Sequence, residues 1–206
     1  NATGITSIAV SDTTVDAGTL ASRISSYDTI NGGDKALMTL ASDATIEVDE
    51  SEITQLLDDE SNSLLSITTQ NITVNELDTI SVNTANSLTD TTSGIVTATI
   101  DPTTTITDLE NLDADTGDIN RLTITIREAD KTSTTAEQLN TVSAATSLGV
   151  NLVNLEGLAA STVGDLQDLF TAMDDGSFTN FSSIANIAVS GATVDGTDIL
   201  ALVDNF

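Results

Sequence analysis

The feature that most constrains the fold of this chain is a degenerate repeat that recurs along its whole length. Each copy begins with a polar or acidic residue and continues with aliphatic residues three or four positions apart. The seven copies are TLASRI at Thr19, EITQLL at Glu52, ELDTIS at Glu76, DLENLD at Asp108, QLNTVS at Gln138, DLQDLF at Asp165 and DILALV at Asp198. Their spacings of 33, 24, 32, 30, 27 and 33 are typical of proteins that stack one small unit per repeat.

Two close internal matches support the repeat. ELDTISVNT at 76–84 resembles QLNTVSAAT at 138–146, and IAVSDTTVD at 8–16 resembles IAVSGATVD at 187–195. The second match joins the first and last units, so we expect no atypical capping repeats. The chain is therefore predicted to be a segment of a longer array or a subunit that stacks end to end.

Each unit predicts a strand followed by a helix. Runs rich in β-branched residues predict strands, and these runs are 8–10, 45–48, 95–100, 122–126 and 187–189. An acid three residues after a polar residue predicts a helix N-terminus, and these pairs are Asp49 with Glu52, Thr107 with Glu110, Thr134 with Glu137 and Asp195 with Asp198. A second short strand in one unit is also compatible with 38–40.

The predicted fold class is α/β. A strand and a short helix cannot bury their apolar faces alone, so we expect a right-handed strand–helix solenoid of about seven repeats of ~30 residues, with a parallel sheet. A globular α/β domain with a seven-stranded sheet is the alternative. The single array 1–206 divides into predicted units at 5–33, 34–63, 64–90, 91–120, 121–149, 150–182 and 183–206.

Composition bounds the function. Five Lys and Arg stand against 32 Asp and Glu, which gives a net charge of −27 and excludes nucleic acid as an expected partner. The chain has neither Cys nor His, which removes thiol nucleophiles and imidazole bases, so we expect no enzyme activity. No apolar run is long enough to span a bilayer, so membrane insertion is not expected.

Calcium is the expected cofactor, if the chain has any. In the sequence DADTGD, the predicted metal ligands are Asp113, Asp115 and Asp118, because alternating Asp residues on a turn can direct several oxygens at one cation. An ordinary turn between repeats is the other interpretation, since the segment lacks the Gly and Glu positions of an EF-hand loop. Asp58, Asp59 and Glu60, and Asp174 with Asp175, are weaker candidates, interpreted as solvated helix ends.

The segments IAVSDTTVDAGTL, TAEQLNTVSAAT and DLENLDADTGDIN resemble the degenerate acidic repeats, rich in Thr, Ser and Asp, of giant cell-surface and secreted proteins of marine cyanobacteria. Swimming-associated and haemolysin-type proteins are examples. The resemblance implies an extracellular, repetitive and calcium-dependent structural role. The nonapeptide calcium-binding repeat GGxGxDxUx of haemolysin-type proteins is absent from the sequence.

The sequence thus predicts a non-enzymatic extracellular or cell-surface repeat protein that serves as a spacer, coat or adhesin stalk. A self-assembling filament or surface-layer subunit is one alternative, and an adhesion module that binds cell-surface glycan or protein is another. The expected partners are neighbouring repeats, or copies of the chain itself end to end.

Overall fold

The fold is described from a computed structural model that covers residues 5–30, 36–117 and 119–191. The chain divides into two compact units, one formed by residues 1–80 and 84–99 and the other by residues 81–83 and 100–206. Both units contain short parallel strands and helices, which confirms the α/β class. No helix among the described residues is long and apolar enough to cross a membrane.

The first unit contains two parallel sheets. Its elements are β1 (Ser7–Val10), β2 (Thr14–Asp16), α1 (Ala17–Ile30), β3 (Leu37–Leu40), β4 (Thr45–Val48), α2 (Ile53–Ser61), β5 (Leu65–Ser66), β6 (Asn71–Val74), α3 (Val82–Thr91) and β7 (Val96–Thr99). One sheet has the order β1-β3-β5, and the other contains β2, β4, β6 and β7 as successive neighbours. Helix α3 begins at residues that are grouped with the second unit.

The elements of the second unit are α4 (Ile106–Leu109), β8 (Asn120–Thr123), α5 (Ala136–Ser143), β9 (Val150–Asn151), β10 (Gly157–Ser161), α6 (Val163–Asp174), β11 (Phe178–Thr179) and β12 (Asn186–Val189). Strand β9 pairs with β11, and β10 pairs with β12, both in parallel. The predicted seventh helix at Asp198 lies outside the described residues.

Two strands, rather than the one predicted, stand between successive helices in much of the chain. Tight turns interrupt the extended runs; the N–H of Ala44 donates to the carbonyl of Ala41 at 3.1 Å, and this turn separates β3 from β4. Each turn re-aims the backbone, so the two short strands belong to different sheets. In the predicted strand run 122–126, the strand ends at Thr123.

Paired strands are separated by similar lengths of chain. In the first unit Thr45 pairs with Asn71, and in the second unit Val150 pairs with Phe178. One helix lies in each of these connections, as parallel pairing requires a crossover. We call the interval between two paired residues the step. In both units the step falls within the repeat length of about 20–45 residues that stacked-repeat proteins use.

The core of the first unit is a row of aliphatic side chains across the sheet. Val15, Ile46, Ile72 and Val96 occupy neighbouring register positions on β2, β4, β6 and β7. All four are buried, and Ile46, Ile72 and Val96 are fully so. Burying each of these side chains stabilises the fold by about 1.5–3 kcal/mol. Because side chains alternate between the two faces of a strand, this burial determines which face of each strand points towards the core.

The predicted helix at ELDTIS is wrong. The side-chain oxygen of Asn75 accepts a hydrogen bond from the N–H of Leu77 at 3.1 Å, and this asparagine turn competes with a helix. Leu77 is 87% exposed, and the helix begins only at Val82. The similar QLNTVS segment lies in α5, where Thr135 and Gln138 cap each other's backbone at the helix N-terminus.

Two helix caps lie near the predicted positions but not on them. Thr105, not Thr107, caps α4 by accepting from the N–H of Asp108 at 3.0 Å. Thr135, not Thr134, caps α5, because Thr134 is buried and donates to the carbonyl of Asp130 instead. The pair Asp49 and Glu52 does stand at a helical start, where Glu52 accepts from the N–H of Asp49 at 3.3 Å.

Candidate functional site

The predicted metal ligands lie on the turn that follows α4. Asp113 is exposed, Asp115 is half-buried, and Asp118 lies outside the described residues. The Asp115 carboxylate accepts from the N–H groups of Gly117 at 3.2 Å, Ile119 at 3.1 Å and Asn120 at 3.3 Å. Its own N–H donates to the carbonyl of Ala144 at 2.8 Å. Asp115 therefore organises the turn.

This use of Asp115 favours the interpretation of the segment as a turn between repeats. Three backbone donors occupy lone pairs that a cation would otherwise need. Within residues 5–30, 36–117 and 119–191, no group of three or more acidic side chains is close enough to hold a metal ion. The calcium site at Asp113, Asp115 and Asp118 stays a prediction, because one of its three residues is not described.

The weaker acidic candidates divide into two kinds. Asp59 is buried, not a solvated helix end as predicted, and its carboxylate accepts from the side-chain amide of Gln55 at 2.8 Å. It lines a cavity of about 390 Å³ beside α1 and α2 that also contacts Asp28. Asp175 is exposed and accepts from the N–H of Ser177 at 3.0 Å and its hydroxyl at 2.6 Å, and these bonds lower the pKa of Asp175.

The structure shows a group of polar residues that the sequence reasoning missed. At three helical starts, the first N–H donates to a side chain that lies about one repeat further along the chain. Glu50 donates to Asp78 at 2.9 Å, Ile106 donates to Asp130 at 2.8 Å, and Ala136 donates to the hydroxyl of Ser161 at 2.9 Å. The separations are 28, 24 and 25 residues. We call Asp78, Asp130 and Ser161 the clasp residues.

A weak sequence signal for two of the clasp residues exists. Asp78 and Asp130 each stand two residues after a Glu, in NELD at 75–78 and READ at 127–130. The interval between these two segments is twice the step that joins β4 to β6. The seven repeat copies were aligned as helical segments, with ELDTIS among them. The match between NELD and READ was therefore missed.

Asp130 is the most buried of the acidic clasp residues. Its carboxylate receives two hydrogen bonds from the Arg127 guanidinium, at 2.8 Å from Nε and 3.1 Å from Nη2, besides the one from Ile106. Desolvation raises the pKa of Asp130, but the Arg127 hydrogen bonds and charge and the Ile106 hydrogen bond outweigh it, so the pKa lies below its usual value. Asp130 is therefore charged at neutral pH.

Two buried threonines make equivalent contacts where a helix returns to a strand. Thr92 donates to the carbonyl of Gln70 at 2.6 Å and accepts from the N–H of Gly94 at 2.9 Å. Thr146 lies 2.9 Å from the carbonyl oxygen of Leu122 and accepts from the N–H of Leu148 at 3.1 Å. Both hydroxyls thus tie a turn to backbone that lies 22 to 24 residues earlier.

Few positive charges offset the acidic side chains. Among the described residues, Arg23 pairs with Asp12 at 3.6 Å, and Lys131 lies 3.0 Å from Glu156 and 3.1 Å from Glu128. The Glu156 and Glu128 carboxylates raise the pKa of Lys131. Solvent screens these exposed pairs, so they contribute little to stability, and most of the acidic surface is compensated only by solvent ions.

Comparisons with known proteins add no functional assignment: neither protein-family models, nor curated proteins, nor solved structures gave a match to the chain.

Proposed function

We propose that this chain is an α/β solenoid and serves as a non-enzymatic structural segment of an extracellular or cell-surface protein. The observation that carries the proposal is a step of 24 to 31 residues that recurs between paired parallel strands. Across β6 and β7, the side chain of Asn71 accepts from the N–H of Ile95, 24 residues later. Across β1 and β3, the carbonyl of Ile8 accepts from the Thr39 hydroxyl, 31 residues later. Stacked coils require a step of this kind to recur along the chain, whereas a globular α/β sheet does not.

Polar side chains follow the same step. The clasp residues, Thr92 and Thr146 all bond to backbone one step away, and Gln70 donates to the carbonyl of Ala41, 29 residues earlier, at 2.8 Å. These groups satisfy backbone donors and acceptors that a short helix or turn leaves unpaired. The sequence therefore uses its buried polar residues to hold successive coils together, which supports a structural role.

The acidic surface supports an extracellular role. A net charge of −27 on 206 residues keeps the chain soluble and repels anionic surfaces, including nucleic acid. It also attracts divalent cations, which are abundant outside cells and would reduce the repulsion between carboxylates. With the resemblance to acidic repeats of giant surface proteins, these features favour a calcium-stabilised spacer, coat or adhesin stalk.

The solenoid predicts that one complete step can be removed without loss of the fold. Deleting the segment 49–74 removes a length of chain equal to the step between Thr45 and Asn71, and it joins Val48 to Asn75. Strand β4 then takes the place of β6 beside β7, with Ile46 in the register position that Ile72 held. We expect this variant to keep its helical circular dichroism and a cooperative urea transition.

The matched control deletes the segment 49–61, half of a step, and removes α2 without its strands. This change puts later strands out of register, so we expect loss of the cooperative transition. Unfolding of both variants to the same extent would contradict the solenoid and favour a globular sheet. The location is tested separately by labelling intact source cells with an antibody to the chain; labelling that requires lysis would contradict a surface role.

A further inference from the structure

A polar cavity of about 440 Å³ opens in the second unit, between the residues at the start of α3 and the turn before α4. Its volume falls within the range of about 300–1,000 Å³ that small-molecule sites occupy. Serine and threonine hydroxyls from both segments line it, together with the side chains of Asn83, Asn111 and Asp108. No lysine or arginine is among the described residues that line it. The cavity therefore offers hydrogen-bonding groups and a single negative charge.

The sequence explains why this space is open. Thr104 stands 26 residues after the clasp residue Asp78 and 26 residues before the clasp residue Asp130. At those two positions a carboxylate accepts from the N–H of a helical start, on Glu50 and on Ile106. A threonine side chain is shorter than an aspartate side chain and carries no charge. Thr104 lines the cavity, and the volume that an aspartate would fill beside the start of α3 is available to a ligand.

Local hydrogen bonds hold the wall that the turn forms. The N–H and the hydroxyl of Thr103 both donate to one carboxylate oxygen of Asp101, each at 2.8 Å. The Thr105 hydroxyl donates to the Asp108 carboxylate at 2.7 Å, and it accepts from the N–H of Asp108 at 3.0 Å. A ligand that binds to groups already held in place loses less free energy to ordering them. This wall of the cavity is therefore preorganised.

The chemistry of the lining favours one class of ligand. Hydroxyl and side-chain amide groups both donate and accept hydrogen bonds, whereas the Asp108 carboxylate only accepts. An anion would be repelled by Asp108 and by the net charge of −27. A largely apolar molecule would leave the lining groups without partners. A neutral molecule that carries several hydroxyls can satisfy all of these groups at once.

We propose that this cavity binds a neutral sugar, namely one hexopyranose ring of a glycan. Ring hydroxyls donate to the Asp108 carboxylate, and these are the strongest hydrogen bonds of the site because the acceptor is charged. The side chains of Asn83 and Asn111 contact the sugar from the two segments that line the cavity. The inference goes beyond the structural role and does not rest on the solenoid, because it needs only one cavity in one unit. Such a chain would be a spacer that also adheres to glycan.

Saturation-transfer NMR on the full chain tests the proposal, with methyl glucoside, methyl galactoside and methyl mannoside as probes. A single ring in an open cavity forms a weak complex, so we expect a Kd of about 1 mM and a signal at about 10 mM sugar. Glucuronic acid and glucosamine are the anionic and cationic comparisons. At least one neutral pyranoside should receive saturation from the protein, and neither charged sugar should bind more tightly than it does.

Two variants test whether the sugar binds in the cavity. Asn83→Phe places an aromatic ring there, and Ser87→Phe, at an exposed position one turn further along α3, is its matched control. Asp108→Asn keeps the shape of the side chain but replaces a charged acceptor oxygen with an amide donor. We expect Asn83→Phe to abolish saturation transfer, Asp108→Asn to raise the Kd about tenfold, and Ser87→Phe to bind like wild type.

Three results would overturn the proposal. The first is the absence of saturation transfer to all three methyl pyranosides, and the second is tighter binding of either charged sugar. The third is wild-type binding by an Asn83→Phe variant that keeps its cooperative urea transition, because the sugar would then bind elsewhere. If Asn83→Phe does not fold, Asp108→Asn decides: an unchanged Kd contradicts binding in the cavity, and a raised Kd supports it.

Discussion

The Asp130 carboxylate accepts a hydrogen bond from the backbone N–H of Ile106, 24 residues earlier in the chain, at 2.8 Å. Ile106 is the first residue of α4, so its N–H has no partner within that helix. An acidic side chain at this point also interacts favourably with the partial positive charge of a helix start. One contact therefore satisfies a helix end and fixes the distance between two segments one repeat apart.

Replacing Asp130 should destabilise the chain strongly for a single polar substitution. Asp130→Asn removes the charge that pairs with Arg127 and weakens the acceptor for Ile106, in a site where the Asp130 side chain is only 9% exposed. We expect a loss of about 1–3 kcal/mol, the cost of an impaired buried hydrogen-bond partner. Urea unfolding measures it, and the exposed Asp174→Asn serves as the control. Equal midpoints for both variants would contradict the role of Asp130.

The contribution of Asp130 should depend on pH. Its pKa is depressed in the folded state, so its stabilising effect is present above the unfolded pKa of about 3.9 and is lost as pH falls through the folded pKa. Protonation of other acids also relieves repulsion, which acts in the opposite direction. The informative quantity is therefore the melting-temperature difference between wild type and Asp130→Asn. It should be largest near neutral pH and shrink below about pH 4; a constant difference at all pH values would contradict the assignment.

Gly94 packs directly against the backbone of Gln70 and Asn71, one segment earlier in the chain. A Cβ at this position would overlap the carbonyl oxygen of Gln70 and lie 2.9 Å from the N–H nitrogen of Asn71. Both are backbone atoms that cannot rotate away, so Gly94→Ala should cost about 1–3 kcal/mol through overpacking. In Gly164→Ala, the new Cβ meets nothing closer than 3.8 Å. That helical control should gain about 0.4–1 kcal/mol. Thermal melts of both variants measure this difference in stability. A Gly94→Ala variant as stable as wild type would contradict the prediction.

Calcium should raise the melting temperature more than sodium does, if the predicted site exists. The comparison is between EDTA and about 10 mM Ca²⁺, above the about 1 mM dissociation constants of weak extracellular sites. NaCl at equal ionic strength is the control. Asp113→Asn should abolish the calcium-specific shift. Asp115→Asn should lower both, because Asp115 holds three backbone N–H groups. Identical melting-temperature shifts in the two salts would contradict a specific calcium site and indicate that the acidic surface serves only to keep the chain soluble.

Part of this structure follows from local sequence alone. Strand β4 coincides with the predicted run 45–48, and β12 and β3 each begin one residue before theirs, because β-branched and aliphatic alternation is a property of neighbouring residues. The helical segments at Thr19, Glu52, Gln138 and Asp165 fall within or across the start of helices for the same reason. The α/β class and the parallel direction also follow, since strands that alternate with helices require crossovers.

Other features were decided by the tertiary structure. The ELDTIS segment has helical spacing, yet the Asn75 turn and the contact of Asp78 with Glu50 hold it out of a helix. Asp115 has the composition of a metal ligand, yet its carboxylate receives backbone N–H groups of its own turn. Sequence spacing reports which residues share a face of one element, but it does not report which backbone group lies opposite a side chain. That depends on residues 24 to 28 positions away, brought close only when successive segments pack together.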